Sequence, residues 1–558
     1  MPAVDSARSC RTTVVEPSVF DPSGIDRSRT EPAGTEPTQA LARLAPEPGV
    51  RPLLPVTGAD LEVPIVPGGA VPYTHLDYAA SAPCLAEVAT HLADVLPYYS
   101  SIHRGAGYCS QVSTAAYEGA RAQVAQFVGA RADDVLVFTR NTTDALALLA
   151  HCVPTNGPAG GNVVFLDVEH HANLLPWRRG KHRCVLAGTT QRATLVALRA
   201  ELAARPAALV AVTGASNVTG EILPIEEIVA VAHAAGARVV VDAAQLATHR
   251  PIDLASSGID YVAFSGHKLY APWGSGALVG RRDWLDEAPA YLPGGGAVRE
   301  VGLTRVVWAD APERHEGGTP NVLGAVALAR ACQVLSPLLH PAPGAPTARP
   351  QSHPALGGLR PPIARPQLHP APGGLRPPTP RPRLAAAGAL EAHEEALRVR
   401  LTERLRTIPG VRLHRIWRDS PDAIGVVAFS VEHLAPGFVA ACLSAEHGIG
   451  VRDGRFCAHP LLSRLGAPDG AVRASWGVGS TLADVDRLAD AVESLVTSGA
   501  RWTYELVGGR WAPAPDPRPA PSWAGPGRSA SAPSHHPLPS WTGAAGPGAS
   551  PCEGGVPS

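Results

Sequence analysis

The feature that most restricts the fold of this chain is a series of short apolar runs that alternates with amphipathic segments between residues 73 and 335. Runs such as Val163–Leu166 and Leu209–Thr213 have no polar face, which is typical of strands buried on both sides. Ile225–Ala235 instead has apolar residues at helical spacing. Strands and helices in this alternation predict an α/β domain with a mostly parallel sheet. The other predicted elements are strands at Val135–Phe138, Val239–Val241 and Tyr261–Phe264 and a helix from Thr143 to Leu149.

Three stretches have the composition of low-complexity chain. Residues 1–65 and 501–558 are rich in Pro, Gly, Ser and Ala with little apolar periodicity, which predicts disordered tails. Residues 336–383 form an insert in which His353–Pro362 is nearly repeated as His369–Pro378. The insert carries six arginines and no acidic residue. We favour a proline-rich linker over a nucleic-acid-binding arm, because no aromatic residues are interleaved for base stacking.

Beyond the insert a second ordered part is predicted. A helical pattern covers 384–405, strands are expected near 425–431 and 472–476, and a helix covers 482–495. We therefore expect a large α/β domain over 66–335 and a smaller α+β domain over 384–500.

The global properties exclude several classes of protein. The formal net charge is −1, which gives no reason to expect binding to nucleic acid or to a membrane surface. The N-terminus has no apolar signal core, and no apolar run approaches the roughly 20 residues of a transmembrane helix. Nine cysteines are scattered without CxxC spacing, so we expect neither a disulfide framework nor a metal site. A reducing cytoplasm is the expected compartment.

Lysine is rare in this chain, which contains only Lys181 and Lys268. Unlike arginine, a desolvated lysine can lose its proton near neutral pH and form a Schiff base with a carbonyl. Lys268 lies in Ser265-Gly-His-Lys268, directly after a buried run, and Asp242 ends another apolar run. A lysine and a carboxylate for a pyridinium nitrogen are the minimum equipment of a pyridoxal-phosphate enzyme.

Several candidate polar residues lie just past the ends of predicted strands. In parallel α/β sheets, ligands bind outside the carboxyl ends of the strands. The sequence therefore predicts that these side chains share one site. The residues are Asn141, His170, Asn217, Asp242 and His267.

Nine short motifs occur in an order that resembles the class V fold-type I pyridoxal-phosphate enzymes, most of all their cysteine desulfurase/selenocysteine lyase branch. The resemblance runs from about Leu76 to Leu495 and is interrupted by the insert. The motifs are Leu76-Asp-Tyr-Ala-Ala-Ser-Ala82, His103-Arg-Gly105, Asn141-Thr-Thr143, Glu169-His-His-Ala-Asn173, Ser216-Asn-Val-Thr-Gly220, Asp242-Ala-Ala-Gln245, Ser265-Gly-His-Lys268, Glu316-Gly-Gly-Thr-Pro-Asn321 and Val451-Arg-Asp-Gly-Arg-Phe-Cys457.

The resemblance implies a set of cofactor contacts. Lys268 would bind pyridoxal 5'-phosphate covalently, and Asp242 would pair with the pyridine nitrogen so that the ring acts as an electron sink. Gln245 would hydrogen-bond the phenolic oxygen of the ring. His170 would stack on the ring, with the adjacent His171 as the alternative. The phosphate would be held by Thr142, Thr143, Ser265 and His267.

The resemblance also implies substrate contacts and a subunit arrangement. Arg473 would bind the carboxylate of an amino acid, and Asn217 would lie between the cofactor and that carboxylate. Thr319 would reach the phosphate of the neighbouring subunit, which implies a homodimer with composite sites. The expected residues at the substrate mouth are His103, Arg104 and Arg452.

Cys457 decides the reaction that the resemblance implies. In the desulfurases a loop cysteine attacks the sulfur of the substrate and keeps it as a persulfide, and Arg452 or Arg455 would favour the required thiolate. Typical relatives carry Arg-x-Gly-His-His-Cys, whereas this chain has Arg455 and Phe456 in place of the two histidines. This departure leaves open the identity of the substrate and the use of Cys457.

The hypothesis that follows is a cytoplasmic, homodimeric, pyridoxal-phosphate-dependent cysteine desulfurase-like enzyme. It would convert L-cysteine to alanine and leave a persulfide on Cys457 for a sulfur-acceptor protein. The alternatives are a class V aminotransferase, epimerase or C–S lyase acting on another amino acid, because the same electron sink supports each reaction. A non-catalytic scaffold is disfavoured because the cofactor motifs are intact.

Overall fold

The computed structural model describes residues 50–156, 159–339, 388–521 and 523. The first strands are β1 (Glu62–Pro64), β2 (Ala70–Pro72) and β3 (Thr74–His75). Strands β1 and β2 pair antiparallel, and Leu53, Leu54 and Val56 pack against the main apolar core. The prediction of a disordered tail is therefore wrong for residues 50–65, because several of their apolar side chains are partly buried against the core.

Seven strands form the central sheet of the large domain, and their spatial order is not their chain order. In chain order they are β4 (Asp134–Thr139), β5 (Val163–Leu166), β6 (His182–Val185), β7 (Leu209–Thr213), β8 (Arg238–Asp242), β9 (Tyr261–Ser265) and β10 (Gly276–Arg281). In space the order is β4-β10-β9-β8-β7-β5-β6, and β10 runs antiparallel to its neighbours while the others pair parallel. The predicted α/β fold with a mostly parallel sheet is confirmed.

Both faces of this sheet are buried. Successive residues of a strand point to opposite faces. In β5, Val164 and Leu166 belong to one apolar cluster, whereas Val163 and Phe165 belong to another. This is why the strands have no polar face. The helices of the large domain are α1 (Ala86–Val95), α2 (Tyr108–Phe127), α3 (Thr142–Cys152), α4 (Gln191–Ala204), α5 (Ile225–Ala234), α6 (Leu246–His249), α7 (Leu254–Ser257), α8 (Arg282–Glu287) and α9 (Val322–Leu339).

Helix α9 is the one helix in the described ranges that is long and apolar enough to cross a membrane by length and composition. The prediction that no segment approaches that size is thus wrong for this 18-residue helix. However, most of α9 is buried, and it packs against α1 and α2. We therefore interpret it as a core helix of the large domain.

The small domain is built on a four-stranded antiparallel sheet. A hairpin of β11 (Val298–Val301) and β12 (Val306–Trp308) comes earlier in the chain. The next strands in chain order are β13 (Val411–Leu413), β14 (Val426–Val431), β15 (Ile449–Gly450), β16 (Arg452–Gly454) and β17 (Ala471–Ser475). The sheet order is β13-β14-β17-β16, and β15 pairs parallel with β3. The helices are α10 (Ala389–Thr407), α11 (Pro436–His447), α12 (His459–Arg464) and α13 (Leu482–Ser498).

The later domain boundaries in the structure also differ from the predicted ones. A hairpin of β18 (Tyr504–Val507) and β19 (Arg510–Pro513) continues past residue 500, and the buried carboxylate of Glu446 accepts hydrogen bonds from the Trp502 amide and the Tyr504 hydroxyl. The prediction of a disordered tail from residue 501 is therefore wrong for residues 501–513. Helix α9 extends to 339, past the predicted start of the insert. The disorder predicted for the rest of the tails and insert lies outside the described residues.

Candidate functional site

Lys268 lies directly beyond the carboxyl end of β9, on a 3-10 turn formed by Gly266–Lys268. Burial lowers the pKa of its ammonium to about 8, while Asp242 opposes the shift and Arg473 adds to it. A lysine with this pKa has a substantial neutral fraction near pH 8, and the neutral amine is the form that attacks a carbonyl. The surroundings of Lys268 therefore suit the Schiff-base role predicted for it.

Asp242 ends β8, the strand next to β9, and its side chain is buried. The Ala244 amide donates to its Oδ1 over 3.0 Å. Burial raises the pKa of Asp242, and the Ala244 hydrogen bond and Lys268 oppose the shift. An isolated buried carboxylate is costly, so this position favours a cationic or protonated partner. The pyridinium nitrogen of pyridoxal phosphate is such a partner, and the site fits the cofactor in this respect.

Gln245 follows on the same loop and is also buried. Its Nε2 donates to the carbonyl of Ala79 over 2.8 Å, which ties the loop to the motif at residues 76–82. An amide nitrogen carries two hydrogens, so the second stays available to a ligand oxygen.

The start of α3 and the end of β9 meet in a cup of small polar groups, here called the phosphate cup and comprising Thr142, Thr143, Ser265 and His267. The Thr142 amide donates to Ser265 Oγ over 2.7 Å, and Thr142 Oγ1 lies 2.6 Å from the same oxygen. A side chain at Gly276 would block this approach, because a Cβ there would lie 2.7 Å from the Cα of Asn141. Amides in the first turn of a helix favour anions, so the cup fits a phosphate.

The other two members of the phosphate cup lie at its edge. Thr143 is exposed in the first turn of α3. His267 precedes Lys268, and burial, with the lysine adding to it, lowers the pKa of its imidazole to about 4. His267 is therefore neutral at physiological pH and contributes a hydrogen bond rather than a charge.

The two adjacent histidines point to different neighbours. His170 Nδ1 accepts a hydrogen bond from the Ala172 amide over 3.0 Å, so its neutral ring carries the proton on Nε2. Burial, then Lys268, lowers the pKa of His170 to about 3. The ring of His171 instead packs edge-on against His459, with 4.5 Å between centroids. This arrangement favours His170, the neighbour of Lys268, as the ring-stacking residue.

Arg473 lies on β17 and is buried. Its Nη2 donates to Asp77 Oδ1 over 2.9 Å, and its Nη1 donates to the carbonyl of Asn217 over 3.0 Å. Its Nε is buried and has no hydrogen-bond partner among the described residues. Burial lowers the pKa of Arg473 and Asp77 opposes the shift, but the guanidinium stays charged. A charged donor without a partner fits the carboxylate of a substrate.

The segment Arg455–Ala458, here called the cysteine loop, follows β16 and carries Cys457 at the surface. The Asn217 side chain donates to the carbonyl of Phe456, and the His171 amide donates to that of Cys457, each over 2.8 Å. Cys457 is near enough to Lys268 and Arg473 to oppose the lowering of both pKa values, for which burial is the largest cause. The side-chain amide of Asn217 holds this loop by a hydrogen bond, a role that the sequence did not indicate.

The predicted mouth residues are less closely connected to this centre. His103 pairs with Glu118 over 2.9 Å, and both side chains are substantially exposed. Arg104 is exposed and lies near Gly295 and Gly296. Arg452 is exposed opposite Arg473 in the β16–β17 ladder. Of the three, only Arg452 is brought next to a central site residue within the described ranges.

Thr319 is exposed and makes no hydrogen bond to the phosphate cup within the described part of the chain. The loop that carries it is anchored by Glu316. The carboxylate of Glu316 accepts hydrogen bonds from Arg121 over 2.8 and 2.9 Å, from the Tyr117 hydroxyl over 2.9 Å and from the Phe138 amide over 2.6 Å. An exposed threonine on a firmly held loop is consistent with a contact to another subunit.

Sequence reasoning gave no role to Asp77 or Glu169. Glu169 is fully buried beside His170, accepts a hydrogen bond from Asn173 Nδ2 over 2.7 Å, and has a pKa raised well above its usual range by burial. Both acids lie inside motifs that the sequence analysis used. Their position inside these motifs was the available signal.

A protein-family comparison supports the resemblance drawn from the motifs. The model of the class V aminotransferases matches residues 74–339 and 385–488. The matched ranges contain all the candidate site residues and leave out most of the proline-rich insert.

Individual relatives point to one branch of that family. A cysteine desulfurase of Dickeya dadantii is 35% identical over 427 residues, covering 75% of this chain and 90% of that protein. The apo structure of a cysteine desulfurase from Thermococcus onnurineus is 30% identical with a TM-score of 0.63, covering 76% of this chain and 94% of that one. A cysteine desulfurase structure from Escherichia coli is 30% identical with a TM-score of 0.60, covering 75% and 94%.

Proposed function

The chain belongs to the class V aminotransferase family of pyridoxal-phosphate enzymes and is related to its cysteine desulfurases, and we propose that it removes the sulfur from L-cysteine. The observation that carries this proposal is that Cys457 lies on a loop held by two hydrogen bonds, near enough to Lys268 and Arg473 to affect the pKa values of both. An aminotransferase needs the lysine and the arginine but has no use for a thiol at that position.

The residues of the chain supply each contact that the cofactor needs. When bound, pyridoxal phosphate withdraws electrons from the α-carbon of an amino acid. Lys268 would hold the cofactor, Asp242 would pair with the protonated ring nitrogen, and Gln245 would donate to the phenolic oxygen. Neutral His170 covers one face of the ring. The phosphate cup binds the phosphate.

Arg473 binds and orients the substrate. The carboxylate of L-cysteine accepts hydrogen bonds from the guanidinium, whose remaining donors are fixed by Asp77 and Asn217. Lys268, whose amine has a pKa of about 8, would act as the base that moves the α-proton. Arg452 at the mouth adds a second positive charge for an anionic substrate.

Cys457 takes the sulfur as a thiolate nucleophile. Its sulfur forms an S–S bond with the sulfur of L-cysteine while the C–S bond of the substrate breaks. The electron pair of that bond passes to the carbon, which gains a proton to give L-alanine. The net reaction converts L-cysteine and the Cys457 thiol to L-alanine and a Cys457 persulfide, with no external oxidant or reductant.

Two partners follow from this chemistry. A persulfide exposed on the cysteine loop is accessible to the thiol of a sulfur-acceptor protein. Thr319 completes the phosphate site of a second copy, which makes the enzyme a homodimer. The seven cysteines in the described ranges are free, which supports the reducing cytoplasm as the compartment.

The proposal is tested by incubating the cofactor-loaded enzyme with L-cysteine and a thiol reductant and measuring sulfide and alanine together. We expect equal amounts of the two products. Cys457→Ser is expected to abolish both, whereas Cys184→Ser, at an exposed cysteine on β6, leaves them unchanged.

The same measurement separates the alternatives. Pyruvate and ammonia in place of alanine would identify a C–S lyase. Alanine and sulfide that persist in Cys457→Ser would rule out Cys457 as the sulfur carrier. An enzyme that binds the cofactor but gives no product from L-cysteine would overturn the proposed substrate.

A further inference from the structure

Phe456 connects the two halves of the proposed site. It precedes Cys457 in the chain, and its buried ring lies against the guanidinium of Arg473, with 5.1 Å between the Arg473 Cζ and the ring centroid. This distance is within the range of a cation–π interaction, which strengthens when the pair is withdrawn from water. One residue therefore contacts the proposed carboxylate-binding group and is bonded to the proposed nucleophile.

A second set of contacts links the same residues through Asn217. Its side-chain nitrogen donates to the carbonyl of Phe456 over 2.8 Å, and its own carbonyl accepts from Arg473 Nη1 over 3.0 Å. Phe456, Asn217 and Arg473 thus form a closed triangle of contacts. Movement of the guanidinium would disturb the backbone of the cysteine loop.

The backbone of the cysteine loop needs such support. Phe456 and Cys457 have φ angles of 50° and 51°, in the left-handed region that residues with a side chain rarely adopt. Two consecutive residues in this region persist only where the surrounding structure holds them. The holding contacts here are the Phe456 ring on Arg473, the Asn217 amide on Phe456, and the His171 amide on Cys457.

Phenylalanine at this position has a chemical consequence. Typical relatives have histidine directly before the cysteine, and an imidazole gains a proton between about pH 6 and 7. A protonated imidazole would repel the guanidinium, whereas phenylalanine attracts it at any pH. The titratable and charged side chains of the segments around this contact are Arg452, Asp453, Arg455, Cys457, His459, His170, His171, Lys268, Asp77 and Arg473.

We propose that Phe456 is a positioning residue that couples substrate binding to sulfur transfer. Its ring fixes the guanidinium of Arg473 for the substrate carboxylate, and its backbone fixes the position of Cys457. The inference rests on the proposed function, because it assigns Arg473 to the carboxylate of L-cysteine and Cys457 to its sulfur.

The test compares three variants of the cofactor-loaded enzyme with L-cysteine as substrate. Phe456→Leu removes the aromatic ring and is expected to raise KM by about tenfold. It is also expected to lower kcat, because the positions of both Arg473 and Cys457 depend on Phe456. Phe456→Tyr keeps the aromatic face and is expected to restore both constants. In Phe456→His, burial and the adjacent guanidinium hold the pKa of the new imidazole below its usual value of about 6.5, so the ratio of its KM to that of the wild type is expected to rise as the pH falls below about 6.5.

A matched control comes from Phe438 in the small domain, which packs edge-on against Tyr504 and Trp511. Phe438→Leu makes the same chemical change outside the site and is expected to leave KM unchanged. A purely structural role for Phe456 would produce no pH-dependent ratio in Phe456→His. A flat ratio, or a Phe456→Leu KM within about twofold of the wild type, would overturn the inference.

Failure of the proposed function gives a different result. In that case the wild type releases neither sulfide nor alanine. The positioning role is then judged by the Kd of L-alanine, measured from the change in cofactor absorbance. We expect Phe456→Leu to raise this Kd by about tenfold, and an unchanged Kd would contradict the role of Phe456 on its own. If Phe456→Leu does not fold, the pH dependence of the KM ratio between Phe456→His and the wild type tests the positioning role.

Discussion

Arg473 and Asp77 form a 2.9 Å ion pair across 396 positions of the chain. The pair joins the β17 strand of the small domain to the motif at residues 76–82. Together with the bond from Arg473 to the Asn217 carbonyl, it leaves the buried Nε as the donor without a partner among the described residues. The guanidinium is therefore oriented before any substrate arrives, and preorganisation of this kind favours binding.

Asp77→Asn tests whether this orientation matters. Removal of the charge leaves Arg473 less firmly held, so we expect the KM for L-cysteine to rise by about tenfold with a smaller change in kcat. Asp283→Asn is the control, because Asp283 pairs with Arg238 at the surface of the large domain. Steady-state kinetics of both variants decide the matter. An unchanged KM in Asp77→Asn would show that Asp77 does not position the arginine.

The two lysines of the chain provide an internal control for cofactor attachment. Lys268→Arg keeps the positive charge but cannot lose a proton, so it cannot form a Schiff base. After borohydride reduction, intact mass spectrometry is expected to show one bound cofactor per chain in the wild type and in Lys181→Arg, and none in Lys268→Arg. Cofactor mass retained in Lys268→Arg would place the attachment elsewhere.

The lowered pKa of Lys268 predicts how the apoenzyme takes up its cofactor. Only the neutral amine attacks the aldehyde, and the neutral fraction increases as the pH passes upward through about 8. The rate of association with pyridoxal phosphate, followed by visible absorbance, is therefore expected to rise through this pH and to level off above it. A rate that keeps rising through pH 10, as for an ordinary lysine, would contradict the assignment.

Buried Glu169 predicts a pH dependence of stability. Burial raises its pKa well above 4.5, so above that pH the unfolded state releases a proton that the folded state retains. Stability of the wild type then falls as the pH rises. Glu169→Gln keeps an acceptor for Asn173 but carries no such proton, so the Tm of the variant minus that of the wild type is expected to increase with pH.

The control for this measurement is Glu227→Gln, at an exposed position on α5. Its Tm difference is expected to stay constant across the same pH range. A difference for Glu169→Gln that is also constant would show that Glu169 has the same charge in the folded and unfolded states.

Local chemistry in the sequence was enough to predict five of the seven strands of the sheet and to propose most of the candidate centre, but β6 and β10 were not predicted. Strands with two buried faces have an unmistakable apolar pattern, and residues such as Asp242 and His170 follow their ends directly. The contacts made across long chain separations were not predictable. Nothing in the local sequence indicates that Asp77 pairs with Arg473 or that Asn217 holds the cysteine loop.

The amino-acid composition also failed to predict the domain boundaries. Residues 50–65 and 501–513 have the proline and glycine content of tails. A few apolar side chains, such as Leu53 and Trp511, are nevertheless packed against the cores. Burial of two or three side chains determines whether such a segment is ordered, and the average composition does not reveal this burial.

The most direct test of the account is a single turnover with L-cysteine in the absence of reductant, followed by mass spectrometry of the peptide that contains Cys457. We predict that this peptide gains the mass of one sulfur atom, in an amount equal to the alanine released. The modification is expected to disappear on treatment with a thiol reductant. Alanine formed without added sulfur on Cys457, or sulfur added at another cysteine, would contradict the central claim that Cys457 carries the sulfur.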